Sequence, residues 1–148
     1  MRALIDTCIV IDALQDRQPF NQAAQALFLA VANRPFDGFL TAKSITDIYY
    51  LTHRSTHSDA ETRRILTTLF QLFDLRDTRG IDCRRALSTD ITDYEDAIMV
   101  ESAVREGMDC IVTRNLRDYT KASIPVYTPV DFLALLTPTE EATSRTDL

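Results

Sequence analysis

The sequence predicts an α/β domain with a mostly parallel central sheet of about five short strands and helices on both faces. Three observations carry this expectation. Short apolar runs of strand length alternate along the chain with longer segments whose apolar residues recur at three and four. The 148 residues, 45% of them hydrophobic, supply one ordinary core and too little for two. Helix-capping and helix-stopping residues flank the periodic segments, and no internal repeat or low-complexity stretch interrupts the series.

Taken in order, residues 2–6 form a short buried strand built on Ala3, Leu4 and Ile5. Asp6 and Thr7 make the turn and helix cap that follow, and residues 8–14 begin a helix. Pro19 restarts the chain. Residues 21–33 place Ala24, Leu27, Phe28 and Val31 at helical spacing until Pro35 ends the segment. Asp37-Gly38 reads as a turn before a second strand at 39–41. Residues 42–53 form a helix with Ile45, Ile48, Tyr49 and Thr52 on one side. Ser58 or Asp59 caps the next helix, which runs to about Phe73 on Ile65, Leu66, Leu69, Phe70 and Phe73. A third strand near 73–76 and a short helix around 83–87 come next. Thr92 or Asp93 caps a helix to Arg105, which Gly107 closes. Strands at 108–112 and 124–127 precede a last helix opened by Pro129 and ending near Leu136. One domain over 1–136 is expected, with a disordered tail over 137–148 that shows no apolar period.

Charge and cysteine usage narrow the class. The net charge is −6, whereas a protein gripping nucleic acid through its whole surface is usually basic. A simple DNA-binding module is therefore disfavoured. A nucleic-acid enzyme stays open if its negative charge lies where a cation neutralises it. Cys8, Cys83 and Cys110 have no metal-ligand spacing and are odd in number, as expected of small buried residues in a reduced cytoplasmic protein. There is no apolar run of about 18 residues, so no membrane span is expected. The early Asp6 speaks against a signal peptide.

In open α/β sheets, ligands bind beyond the carboxyl ends of the strands, where strand order reverses. Acidic residues fall at such points. Asp6 ends the first strand, and Asp118 follows the fourth after Thr113, Arg114 and Asn115. Asp93 and Asp96, three apart, lead a helix face that continues into Ala97, Val100 and Val104, all expected to be buried. Asp47 lies in a helix among Ile45, Ile48 and Tyr49. Singly, an Asp at a strand end or helix start is more often a cap or turn residue than a ligand, Asp93 in particular, and Asp12, Asp16 and Asp59 are expected to face water. As a set, four segments bring carboxylates to one sheet edge with no comparable group of Lys or Arg. Their mutual repulsion calls for a divalent cation. An oxygen-only donor set suits Mg²⁺ or Mn²⁺, and the shortage of His and Cys pairs disfavours zinc.

Four segments then carry a resemblance: Leu4-Ile5-Asp6-Thr7, Ser44-Ile45-Thr46-Asp47-Ile48, Asp93-Tyr94-Glu95-Asp96-Ala97, and Val112-Thr113-Arg114-Asn115-Leu116-Arg117-Asp118-Tyr119. In order and spacing they resemble the four acidic motifs of PIN domains, most closely those of VapC-type toxins and related bacterial proteins. The resemblance implies a Rossmann-like sheet and metal-dependent ribonuclease activity. For a toxin it also implies a cognate antitoxin, and it leaves room for a homodimer. Asp6, Asp47, Asp96 and Asp118 would be the catalytic quartet, with Asp6, Asp96 and Asp118 as direct metal ligands and Asp93 as an outer member. Thr7, Thr113 and Asn115 would support the carboxylates or bound water. Asp47 stands where such toxins usually carry Glu, one methylene longer, so a bridging water or a closer helix is implied there.

Three competitors are weighed on residues. An aspartyl phosphotransferase needs a second Asp two residues after the first, and Asp6-Thr7-Cys8 lacks it. A response receiver needs a late Lys beside a strand end, and Lys121 falls in a loop. A catalytically silent module that binds a protein or RNA would not need all four acidic positions. Arg114 or Arg117 would either meet substrate phosphates or simply lie at the surface.

Overall fold

The strands with unbroken apolar runs lie innermost, because only a strand covered on both faces can afford no polar alternation. In the computed structural model, which describes residues 1–137, β1 (Arg2–Ile5) is central. It is flanked by β2 (Asp37–Thr41) and β4 (Cys110–Val112), with β3 (Asp74–Arg76) and β5 (Val126–Tyr127) at the edges. The order is β3-β2-β1-β4-β5 and every neighbouring pair is parallel. Side chains alternate between two cores. Ala3, Ile5, Leu40 and Val112 pack into one, Leu4, Phe39 and Ile111 into the other.

Helices cover both faces. α1 (Thr7–Leu14), α2 (Asn21–Ala32), α3 (Ala42–Thr56), α4 (Asp59–Leu72) and α7 (Pro129–Leu136) serve the first core, through Ile9, Val10, Leu27, Ile48, Leu69 and Phe132. α5 (Gly80–Ala86) and α6 (Tyr94–Arg105) serve the second, through Ala86, Ala97, Val100 and Ala103. Caps set the starts. Ser58 accepts from the Glu61 amide, Asp93 from the Asp96 amide and Thr128 from the Asp131 amide. Gly107, at φ +68°, turns the chain out of α6.

Several boundaries depart from expectation. Asp37-Gly38 is not a turn but the start of β2, where Gly38 pairs with Ala3. The glycine is required by packing: a Cβ there would stand 2.8 Å from Val31 and 2.9 Å from Phe73. α3 runs on to Thr56 and closes on His57 at φ 53°. α5 begins at Gly80, because the Asp82 carboxylate accepts the Arg79 amide and caps it. Val104 is 44% exposed, so it lies off the buried face of α6, which in the last turn runs through Ser102 and Ala103 instead. Asp16 and Asp59 face solvent, but Asp12 does not. It is fully buried, with Oδ2 accepting from Arg114 Nε at 2.7 Å. The expected tail lies, apart from Thr137, outside the described residues. Among the described residues, no helix is long and apolar enough to cross a membrane.

Candidate active site

The chain order places β2 and β3 on one side of β1 and β4 and β5 on the other, so strand order reverses between β1 and β4. Their carboxyl ends are where a parallel sheet opens a crevice. Asp6 follows β1 directly, and its amide extends the ladder by bonding to the Val112 carbonyl at 2.9 Å. It occupies the cap position of α1 without making a side-chain cap bond. The carboxylate is held instead by Thr113, the residue after β4, whose hydroxyl donates to Asp6 Oδ2 at 2.8 Å. Thr113 is fully buried and also accepts the Asn115 amide at 3.1 Å.

Asp96 arrives from the first turn of α6. A tyrosine that sequence reasoning passed over ties it to Asp6. Tyr119 closes a single 3₁₀ turn, Leu116–Tyr119, that follows β4. Its hydroxyl lies 2.9 Å from Asp96 Oδ1 and 3.3 Å from Asp6 Oδ2. Burial pushes the Asp96 carboxyl up to about 6, against the pull of the Tyr119 hydrogen bond, and the charges of Asp6, Asp93 and Asp118 add to the rise. Burial likewise raises the Tyr119 phenol, as do the two carboxylates, so at neutral pH the hydroxyl stays protonated and can only donate to them. The available signal was its place in the acidic segment: a buried Tyr needs a partner for its hydroxyl.

The remaining expected residues divide. Asp47, Thr7, Asp6 and Asp96 line one cleft of about 520 Å³. There Asp47 sits 3.9 Å from Lys43 Nζ, which bonds Glu95 at 2.7 Å. Lys43 thus accompanies the outer acids Asp47 and Glu95, and the carboxylates of the cleft still outnumber its cations. Lys43 precedes Asp47 by four on α3, a spacing that puts the two side by side. Asp93 spends its carboxylate capping α6. Asp118 and Asn115 are exposed and line a separate hollow with Arg114, Arg117 and Thr128. Asp118 is still near enough to raise Asp96. Arg114 is neither free nor simply superficial: it pairs with Asp12 and lies 4.3 Å over the Phe20 ring. Cys8, Cys83 and Cys110 are free, and burial pushes Cys8 and Cys110 up to about 11, too high for a thiolate at neutral pH.

The donors gathered here are all oxygens, and Lys43 is engaged with Asp47 and Glu95, not with Asp6 or Asp96. That chemistry suits a hard divalent cation. Among the described residues, no three His, Cys, Asp or Glu side chains converge closely enough to hold an ion as they stand.

A family model described as the PIN domain matches residues 2–117. The chain belongs to the PIN domain family. Solved structures agree on the fold of this PIN domain. It is similar to a toxin–antitoxin complex from Klebsiella pneumoniae (24% identity, 86% of this chain and 97% of that one, TM-score 0.62). It is similar over the same shares to VapBC2 from Rickettsia felis bound to a promoter DNA fragment (13%, TM-score 0.62). VapC20 of Mycobacterium tuberculosis, described as a sarcin-ricin loop cleaving toxin, matches at 13% identity over 74% of this chain and 86% of that one, with a TM-score of 0.58. A search of curated proteins finds no match.

Proposed function

We propose that this PIN domain is a metal-dependent ribonuclease that hydrolyses RNA phosphodiester bonds in the cytoplasm as the toxin of a toxin–antitoxin pair. The observation that carries this reading is the joining of Asp6 and Asp96 on one tyrosine hydroxyl at the strand-order reversal, with one carboxyl pushed up to about 6. Two acids held together without a neutralising cation are costly for a fold and useful to a metal-assisted hydrolase. The neighbouring toxin–antitoxin structures, one described as cleaving the sarcin-ricin loop, support RNA as substrate and an antitoxin as partner.

Asp6 and Asp96 would hold Mg²⁺ or Mn²⁺, joined by Asp118 from the neighbouring hollow once an ion draws the three together, and the chemistry of the bound ion is to acidify water and offset charge developing on phosphate. The chain's own residues do the rest. Thr113 fixes the rotamer of Asp6 by donating to Oδ2, and no bond from the protein engages Oδ1 among the described residues. Tyr119 holds Asp96 beside it. Asp93 anchors the first turn of α6, and with it the height of Asp96 above the sheet. Lys43 keeps Asp47 and Glu95 at the rim, where a phosphate must pass.

The test is cleavage of single-stranded RNA by purified protein with Mn²⁺. Asp6→Asn and Asp96→Asn should each abolish it, and undiminished cleavage by either would remove that residue from the site. The engagement of Asp47 by Lys43 favours a second reading, a silent module that binds a partner or RNA. That module would gain no thermal stability from Mn²⁺, whereas the enzyme would gain about 2.7 kcal/mol at a hundred times the dissociation constant.

A further inference from the structure

The cleft has a second wall that the acidic residues do not explain. Asp47, Tyr50, Leu51 and Arg54 line it from α3, spaced by three, four and seven, so they form one stripe along the helix. Tyr50 is 64% exposed, and Arg54 is exposed one turn further on. The Tyr50 ring is not loose. It stands edge-on to Tyr49 at 5.4 Å, and Tyr49 is in turn stacked on His53 and hydrogen-bonded to Asp59. Tyr50 also borders the shallower groove between α3 and α4, with Ile45, Thr46, Tyr49, Arg63 and Leu66. It therefore borders both hollows, and most of its ring is exposed to a planar group.

Charge decides what Arg54 is for. An RNA strand entering this cleft meets Asp6, Asp47, Glu95 and Asp96 and only two cations, Lys43 and Arg54. Lys43 is engaged by Asp47 and Glu95. Arg54 makes no hydrogen bond or ion pair among the described residues, and it lies about 10 Å along the helix axis from Asp47, seven residues at the usual rise. A phosphate beside the scissile one is attracted there and repelled elsewhere.

Resting on the ribonuclease reading above, we propose that Tyr50 and Arg54 form a subsite for single-stranded RNA. A base next to the scissile bond stacks on Tyr50, and the adjoining phosphate pairs with Arg54. Duplex RNA cannot use it, because its bases are already stacked on one another.

The experiment measures fluorescence anisotropy of a short labelled single strand, with Mg²⁺ present, on Asp96→Asn protein so that the strand stays intact. Adding Tyr50→Ala should weaken binding about tenfold, as loss of one base–aromatic stack does, while Tyr50→Phe stays within twofold. A strand carrying 2-aminopurine should be quenched on binding, and Tyr50→Ala should remove the quenching. Arg54→Ala should weaken binding and flatten its salt dependence by about 0.7 in log–log slope. Tyr50→Ala binding within twofold of its parent, undiminished quenching, equal affinity for duplex, or no RNA binding at all would each overturn the subsite. Cleavage by the unaltered protein with a KM that Tyr50→Ala leaves alone sinks the subsite and spares the ribonuclease. No cleavage of single strands by the unaltered protein sinks the ribonuclease itself.

Discussion

Replacing Arg105 with Met would strand a carboxylate in the interior, and the structure says how badly. Asp82 is fully buried between α5 and α6. Its oxygens accept from Arg105 Nε at 2.8 Å and Nη2 at 2.9 Å, from the Ser102 hydroxyl at 2.9 Å and from the Arg79 amide at 2.9 Å. Burial alone would raise this carboxyl, but the Arg105, Arg79 and Ser102 bonds outweigh it and hold Asp82 below its usual range. Arg105→Met removes the only charged partner in that set and leaves two neutral donors. Breaking one side of a buried pair costs about 3–5 kcal/mol. With a urea slope of about 2 kcal/mol/M, the unfolding midpoint should fall by about 2 M. The sign with pH is fixed as well. In the unaltered chain a lowered carboxyl stabilises above its unfolded pKa, and that contribution is lost as pH falls through the folded one. In the variant, burial dominates and raises the group, so its penalty is full at neutral pH and shrinks as acid protonates Asp82. Urea melts at pH 7 and pH 4.5 should therefore show the gap between the two proteins narrowing with acid. Asp82→Asn combined with Arg105→Met should recover most of the loss, since no charge is left unpaired. A deficit under about 1 kcal/mol at pH 7, or a gap that widens on acidification, would refute the reasoning.

Two further outcomes are expected. In EDTA, Asp96 is held near 6 against an ordinary 3.8, so its contribution is most favourable below about pH 4 and is lost as pH rises through 6. Asp96→Asn should then melt higher than the unaltered protein at pH 7, match it near pH 4 and gain little from Mn²⁺; a variant that melts lower at pH 7 and gains fully would make Asp96 a structural residue. Co-expression with the product of the adjacent upstream gene should yield a stable complex on co-purification, through a cation reaching Asp96 and Asp118; absence of association would remove the toxin assignment and leave the nuclease.

Much of the architecture was legible because it depends on local pattern. The alternation of short apolar runs with helical periodicity gave five strands and the major helices in order, and Gly107 marked the close of one helix and Pro129 the opening of another. The turn expected at Asp37-Gly38 failed for a reason no local pattern contains. Gly38 is demanded by Val31 and Phe73, brought in from two other elements.

The site divides along the same line. Sequence by itself placed Asp6, Asp47, Asp96 and Asp118 in segments that end at one edge of the sheet, because strand ends and helix starts are set by neighbouring residues. Which acid meets which partner was decided only in three dimensions. Asp12 reads as a surface residue of a short helix, yet closure of the sheet sets β4 beside β1 and brings Arg114 over it, 102 residues away. Tyr119 joins Asp6 and Asp96 across separations of 113 and 23 residues. Burial and long-range Coulomb forces act through space, and only the fold fixes those distances.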